Sequence, residues 1–420
     1  MATRTPSPPR PRSRAQAPAS PSFPEAGRRA IVSVKKLFHA ERSEYVVMVS
    51  MVLFLVFFGL VMVLSSSFVT ARAGADGNFL SVWLRQGAWA MIGLPMMFVL
   101  STWPSRVWRA TAPMLLLGGL ILQRLVVFTP LGVSSGGNTN WLSVGGLTGQ
   151  PAEFLKLALI VWMAHILAQR MDYIRRPEAL GKPLLLGVII SLGLVVAGRD
   201  LGTVGVMAMV VLGILFVAGI RVSYLVSTLA LLAAGAAVMA LLAPYRLERI
   251  TVWLSGCSEE QFLYQCWQPM QGIMALGSGG VFGVGLGNSR AKWSWLPEAD
   301  TDYIYAVIGE ELGLIGSVLV IVAFGILGLA MVRLVQRNPD PFARIVTAGV
   351  MIWVVGQALV NIAVVLEYLP VLGVPLPLIS AGGSALLATM LAMGVVMSVN
   401  RTVEVEPVWQ FLGNSPARRS

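Results

Sequence analysis

Apolar runs broken by short polar segments dominate the chain. Ten of them carry few charges and are long enough to read as helices crossing a bilayer core of about 30 Å. They lie near Tyr45–Ser66, Val82–Ser101, Trp108–Phe128, Ala152–Leu167, Leu184–Ala197, Thr203–Ile220, Val222–Ala243, Tyr303–Val332, Ile345–Leu366 and Ser384–Val399. The runs are continuous and do not alternate, which argues against a transmembrane β-barrel. The expected fold class is an all-α polytopic integral membrane protein with ten transmembrane helices spanning residues 44–402. Residues 1–43 are rich in Pro, Ser, Ala and Arg, cannot assemble a core, and read as a disordered basic tail. Residues 403–420 read as a second tail. The first apolar run is too long for a signal-peptide core and reads as a retained helix.

Composition agrees. Hydrophobic residues make up 56% of the chain and charged residues 12%, about half the share of a soluble domain, and mean hydropathy is +0.75. The net charge of +11 would suit nucleic acid, but its distribution points elsewhere. With both termini in the cytoplasm, the inner loops hold Arg106 and Arg109; Arg170, Arg175, Arg176 and Lys182; Arg221; and Arg333, Arg337 and Arg344. That is the positive-inside pattern of a plasma-membrane protein. The basic tails then face the anionic leaflet of the membrane lipids, and no nucleic-acid partner is expected.

Three outer segments remain: Gly132–Gln150, Pro244–Thr301 and Glu367–Ser384. Irregular backbone at membrane level is tolerated where it lines a cavity, so together they predict an outward-facing polar chamber. The large outer loop between spans seven and eight, residues 244–301, holds both cysteines. Cys257 and Cys266 read either as a disulfide or as two free thiols; with two histidines in the chain, neither of them nearby, a zinc site is not expected. The glycine-rich piece at 277–289 lacks the Lys-Ser/Thr ending of a phosphate loop and gives no nucleotide site.

Acid is concentrated where that loop enters span eight. Glu298, Asp300, Asp302, Glu310 and Glu311 fall within fourteen residues and make up a quarter of the 20 acidic residues in the chain. Charges within spans default to functional hypotheses. Glu153 and Lys156 share a helical face at the start of span four and read either as an ion pair of the fold or as part of a site. Arg199 and Asp200 interrupt the hairpin between spans five and six, where a solvated turn is the alternative. Arg124 sits near the outer interface and can snorkel. Gly309, Gly313 and Gly316 are expected to share one face for close helix packing.

Five motifs go beyond composition: NWLSVGGLTGQPAEFLKLA (140–158), DLGT (200–203), YRLERITVW (245–253), the run at 271–316, and LPLISAGGSALLATMLAMGVVMSVNR (376–401). In this order the chain resembles the SEDS family (shape, elongation, division and sporulation) of membrane glycosyltransferases over residues 44–402. The string IGEELG at 308–313 resembles the division branch; elongation relatives tend to carry AEELG. The chain departs from the family pattern at Asn140, Ala152, Arg199, Asp300 and the Glu367–Tyr368 pair, where Arg, Ser, Pro, His and smaller residues are usual. Asn140 puts an anionic-ligand contact beside Trp141 in doubt.

The resemblance implies polymerisation of lipid II onto lipid-linked nascent glycan, with undecaprenyl pyrophosphate leaving, at the septum of a bacterial cell. Asp302 resembles the family's proposed catalytic aspartate. A partly desolvated carboxylate at the outer surface would have a raised pKa and act as general base; the alternative is a helix cap, a role Thr301 could also fill. Glu298 and Asp300 are expected either to help bind a divalent cation, Mg²⁺ or Mn²⁺, near the leaving group, or to be solvated loop residues. Lys156 and Arg246 are candidate phosphate contacts, with Glu153, Trp141, Ser380 and Ser384 around the substrate. Glu310 and Glu311 lie roughly 12 Å further along the helix and read as structural, Glu310 pairing with a buried cation such as Lys156. A class B penicillin-binding protein and other divisome proteins are the implied partners. An elongation polymerase, a lipid-linked precursor flippase and a recruiting scaffold are the competing readings.

Overall fold

The computed structural model of the protein describes residues 43–73, 80–135, 138–144, 147–241, 244–256, 264, 266–293 and 295–401. The two tails lie outside the described residues apart from Ser43. Between them run α1 (Ser43–Ala73), α2 (Ser81–Ser101), α3 (Ser105–Phe128), α4 (Pro151–Ala168), α5 (Lys182–Ala197), α6 (Leu201–Ala218) and α7 (Val222–Leu241). They are followed by α8 (Pro244–Ser255), α9 (Trp267–Gly279), α10 (Ile304–Arg337), α11 (Pro341–Val365) and α12 (Gly383–Val399). The fold is that of a polytopic α-helical membrane protein. Among the described residues six helices (α1, α3, α4, α6, α10 and α11) are long and apolar enough to cross a membrane, and α5, α12 and part of α7 are shorter apolar helices. The remaining expected span, α2, carries Arg85 and Gln86 near its outer end and Pro95 inside it.

Local chemistry sets the boundaries. Asp200 caps α6 by accepting from the Thr203 amide, and Asp340 caps α11 by accepting from Phe342. Gly219 ends α6 in the left-handed conformation, φ 84°, a common role for glycine there. At the end of the helices where α1 starts and α10 finishes, ion pairs join Arg337 to Glu44 and Arg109 to Asp340. The core is packed around α12 and the first turns of α10: Ile304 to Glu311 are buried without a break, and so is most of α12. Trp353, Tyr303, Phe324 and Phe342 are among the largest fully enclosed side chains. Phe57, Met91, Met114 and the α10 residues Leu314, Val318, Leu319, Val322 and Leu329 face outward, as lipid-facing side chains should.

The outer segments are more ordered than their glycine and proline content suggests. Residues 132–149 form a three-stranded antiparallel sheet, β1 (Gly132–Ser135), β2 (Asn138–Val144) and β3 (Leu147–Gly149), in the order β1-β2-β3. Gly132 pairs with Leu142 and Leu142 with Gly149, with a bulge between Val133 and Ser134. The large loop contributes α8 and α9.

The expected straight helix over span eight needs correction. Gly313 has φ 67° and ψ −162°, which breaks α10. Gly309, Gly313 and Gly316 therefore do not line one face. Gly309 does permit close packing: Gly279 of α9 lies so near that a Cβ there would come within 2.0 Å of the Gly309 carbonyl. Gly313 serves the break itself, since its φ is one that few residues other than glycine adopt.

Candidate active site

The acidic stretch enters α10 through a tight turn. Glu298 has φ 55°, and its carbonyl accepts the amides of Thr301 and Tyr303. The turn is held from three sides. Ser380 Oγ donates to the Thr301 carbonyl at 2.5 Å and accepts from the Leu376 amide. The Ala381 amide donates to the Asp300 carbonyl. Asn361 Nδ2 donates to the carbonyls of Asp302 and Val374. The last outer segment and α11 thus fix the backbone through its carbonyls and not through the carboxylates. Arg199, Glu298, Glu367 and Leu378 are the non-glycine residues with positive φ among the described residues. Each lies within four residues of Asp200, Asp302 or Ser380 or lines a cavity beside the turn, the kind of place where backbone strain collects.

Asp302 does not cap the helix: Tyr303 is the cap residue, and no side chain closes that end. Its half-buried carboxylate accepts from Thr301 Oγ1 at 3.1 Å. Among the described residues it makes no ion pair. Burial first, and then the nearby Glu298, push its pKa up to about 6 against the opposing pull of hydrogen bonds from the backbone and Thr301 and of Arg249. Asp300 is raised as well, first by burial and then by Glu298, with Arg85 opposing.

Cavities flank the turn. One of about 330 Å³ is lined by Arg85, Gln86, Trp89, Trp141, Asp300 and Ser384, among others. Gln86 spans its floor, donating to the Ser380 carbonyl and accepting from the Gly382 amide. The others lie on the α8 side: one of about 280 Å³ between Trp253, Met270 and Glu367, and one of about 190 Å³ between Asn140, Asp200 and Gly373. Arg249 lines both. A Cβ built on Gly373 would sit 3.8 Å from Asp302 Oδ2, which puts that carboxylate beside the smaller cavity. Asp300 and Asp302 therefore serve opposite sides of one turn.

The residues singled out in the sequence separate into groups. Asp300, Trp141, Ser384 and Asp302 gather at the cavities. Ser380 shapes the turn from beneath. Arg246 lies on α8, but its side chain is outside the described residues; Arg249, one turn on, lines both cavities on the α8 side, and Arg85 lines the other. Lys156 and Glu153 line none of these three cavities. They form a buried pair at 2.8 Å, with Lys156 also donating to Gln357 Oε1 and lying over the Trp353 ring. Gln357 Nε2 in turn donates to the Pro375 carbonyl, so the pair braces the last outer segment. Asp200 is buried rather than solvated: it accepts from Asn140, Gln150 and Thr203. The departure at Asn140 thus gains a partner, and Asp200 ties the sheet carrying Trp141 to α6. Gly202 lets the Leu372 carbonyl approach α6; a Cβ there would meet it at 2.3 Å.

The expected pairing of Glu310 with Lys156 is wrong, because Lys156 is already neutralised by Glu153. Glu310 instead accepts from Ser289 Oγ and the amides of Arg290 and Ala291. Glu311 pairs with Lys292 at 3.1 Å and accepts from Ser65 Oγ. Lys292 was not expected; it lies in the loop, and nothing in its local sequence marks it as buried. Cys266 is buried and disulfide-bonded, bordering the 280 Å³ cavity; the other cysteine of the chain, Cys257, lies outside the described residues.

Known proteins resemble this arrangement over most of the chain. The family model FTSW_RODA_SPOVE, described as "Cell cycle protein", matches residues 45–405. The probable peptidoglycan glycosyltransferase FtsW of Mycobacterium tuberculosis is 37% identical over 344 residues, covering 82% of this chain and 65% of that protein. The chain thus spans slightly under two thirds of that relative. Stage V sporulation protein E of Bacillus subtilis is 35% identical over 355 residues, 84% of this chain and 96% of that one. Among solved structures, one reported as structural coordination of polymerization and crosslinking by a peptidoglycan synthase complex matches with a TM-score of 0.67 at 27% identity, covering 84% and 96% of the two chains. The rod shape determining protein RodA of Thermus thermophilus matches with a TM-score of 0.61 at 25% identity, covering 84% and 95%. The chain belongs to the FTSW_RODA_SPOVE family of cell cycle proteins, the SEDS family, and is FtsW-like within it.

Proposed function

We propose that this protein is a peptidoglycan glycosyltransferase of the division machinery, polymerising lipid II, and that Asp302 is its general base. The observation that carries the reading is the carboxylate of Asp302: half-buried, without an ion pair among the described residues, and set beside an outward cavity. In the proposed step the 4-hydroxyl of the acceptor sugar gives its proton to Asp302. Its oxygen forms the new bond to C1 of the donor sugar as the bond from C1 to undecaprenyl pyrophosphate breaks. The bonding pair leaves on the pyrophosphate. Arg249 on α8, and Arg85 across the turn, supply positive charge for that leaving group. Asp300 and Trp141 line the neighbouring sugar-sized cavity.

No cluster of three His, Cys, Asp or Glu side chains suited to a metal occurs among the described residues. The residues present fit an ion held by one or two carboxylates together with substrate phosphates, the habit of Mg²⁺. Asp300 and Glu298 would hold it; Glu298 is already oriented by Thr301 Oγ1 at 2.6 Å. Such an ion, Mg²⁺ or Mn²⁺, would offset charge on the pyrophosphate. A class B penicillin-binding protein is the proposed partner, with other divisome proteins, in the septal plasma membrane, both termini in the cytoplasm. The FtsW-named relatives and the synthase-complex neighbour support this.

The test is polymerisation of purified lipid II in proteoliposomes holding the protein and that partner, followed by gel analysis. Glycan ladders that vanish with chelator and return with Mg²⁺ or Mn²⁺ are expected. No ladder from a folded, partner-bound protein overturns the enzymatic reading. Ladders indifferent to chelator overturn the metal alone.

A further inference from the structure

The glycine-rich piece that fails as a phosphate loop has another use here. Its run GGVFGVGLGN, residues 279–288, carries no charge. It lies against the break in α10 and pairs with it as a strand would. The amides of Val284 and Gly285 donate to the carbonyls of Glu310 and Glu311, and the amides of Leu314 and Ile315 donate back to Gly280 and Val281. The loop thus satisfies backbone groups that the break exposes. A Cβ on Gly283 would fall 2.1 Å from the Glu311 carbonyl, so glycine is required for that approach. From inside, Glu310 and Glu311 hold the returning strand through Ser289, Arg290, Ala291 and Lys292.

The other side of the loop is apolar and open. Phe282 is 81% exposed, and Val281, Val284 and Leu286 are also exposed. They adjoin Leu314 and Ile315, and these continue into the outward stripe of Val318, Leu319, Val322 and Leu329 on the membrane-crossing helix. Bare irregular backbone does not rest in hydrocarbon; here strand-like bonds to α10 pair part of the loop's backbone, and its uncharged apolar side chains continue the lipid-facing stripe, which suits a seat at the boundary between headgroups and acyl chains. We propose that residues 280–287 are seated in the outer leaflet, with Phe282 and Leu286 among the acyl chains. Lys292, which follows this seat in the chain, is bonded to Glu311 on α10, the helix that the turn at Asp302 enters, so the bilayer becomes a reference surface for the depth of that turn. This inference stands apart from the catalytic reading.

The test uses the full chain in nanodiscs of phosphatidylcholine and phosphatidylglycerol, with an environment-sensitive fluorophore on Phe282→Cys or, separately, Leu286→Cys. Leu319→Cys serves as the lipid-exposed reference and Tyr264→Cys as the exposed loop reference. Both probes should be quenched by lipids nitroxide-labelled high on the acyl chain at least threefold more than the Tyr264 probe, and be protected from aqueous iodide like the Leu319 probe. Quenching by iodide at the level of the Tyr264 probe overturns the proposal. So does shielding from both quenchers, which would mean that protein covers the face.

Discussion

Two pairs of carboxylates ten residues apart meet opposite fates. Glu310 and Glu311 are buried and saturated: hydroxyls, amides and the Lys292 ammonium occupy their oxygens. Asp300 and Asp302 have their backbone carbonyls gripped by Ala381 and Asn361, while the Asp300 side chain lines one cavity and that of Asp302 lies beside Gly373, which lines another. The lesson concerns which atoms the fold uses. Where it uses the carboxylate, the group is structural. Where it grips mainly the backbone beside the carboxylate and leaves the group without an ion pair among the described residues, the group is available for chemistry.

Exchanging the pairs should give different defects. Asp302→Asn should lower lipid II polymerisation by about 10²- to 10⁴-fold, the worth of a general base, without loss of fold. The sign for stability follows from the raised pKa. Above about pH 6 the ionised carboxylate is less favourable folded than unfolded, so Asn at this site should leave thermal stability at pH 7.5 equal or higher. Lys292→Met should do the reverse, stranding Glu311 as a buried charge at a cost of about 3–5 kcal/mol, read as a fall in the unfolding midpoint in detergent. The double change Lys292→Met with Glu311→Gln should recover most of that loss. Failure to recover would mean that the pair is not the unit. Ser380→Ala removes one donor and one acceptor that shape the turn. At about 1–3 kcal/mol for stranded partners, it should lower the unfolding midpoint by less than Lys292→Met does and slow polymerisation by roughly tenfold.

Much of this was legible in the chain. Continuous apolar runs gave the membrane class, and the motif around Asp302 gave the candidate base, because both depend on local sequence. The break at Gly313 was hidden, since glycine in an apolar helix signals packing as readily as a break. The partners of Glu310 and Glu311 were hidden too: Ser65 and Lys292 reach Glu311 from another helix and from the loop. Arg249 could have been found, as it lies one helical turn from Arg246 in the same motif. The bracing role of Lys156 depends on Gln357 and Trp353, some two hundred residues away, and no local pattern shows it.

The account rests on Asp302 being the open, base-active carboxylate, and the pH dependence of polymerisation reads that most directly. With its pKa near 6, the wild-type rate should fall about tenfold per pH unit below about pH 6 and level off above it. The residual rate of Asp302→Asn should lack this step, while Ser380→Ala should keep it. The same step near pH 6 persisting in Asp302→Asn would contradict the account.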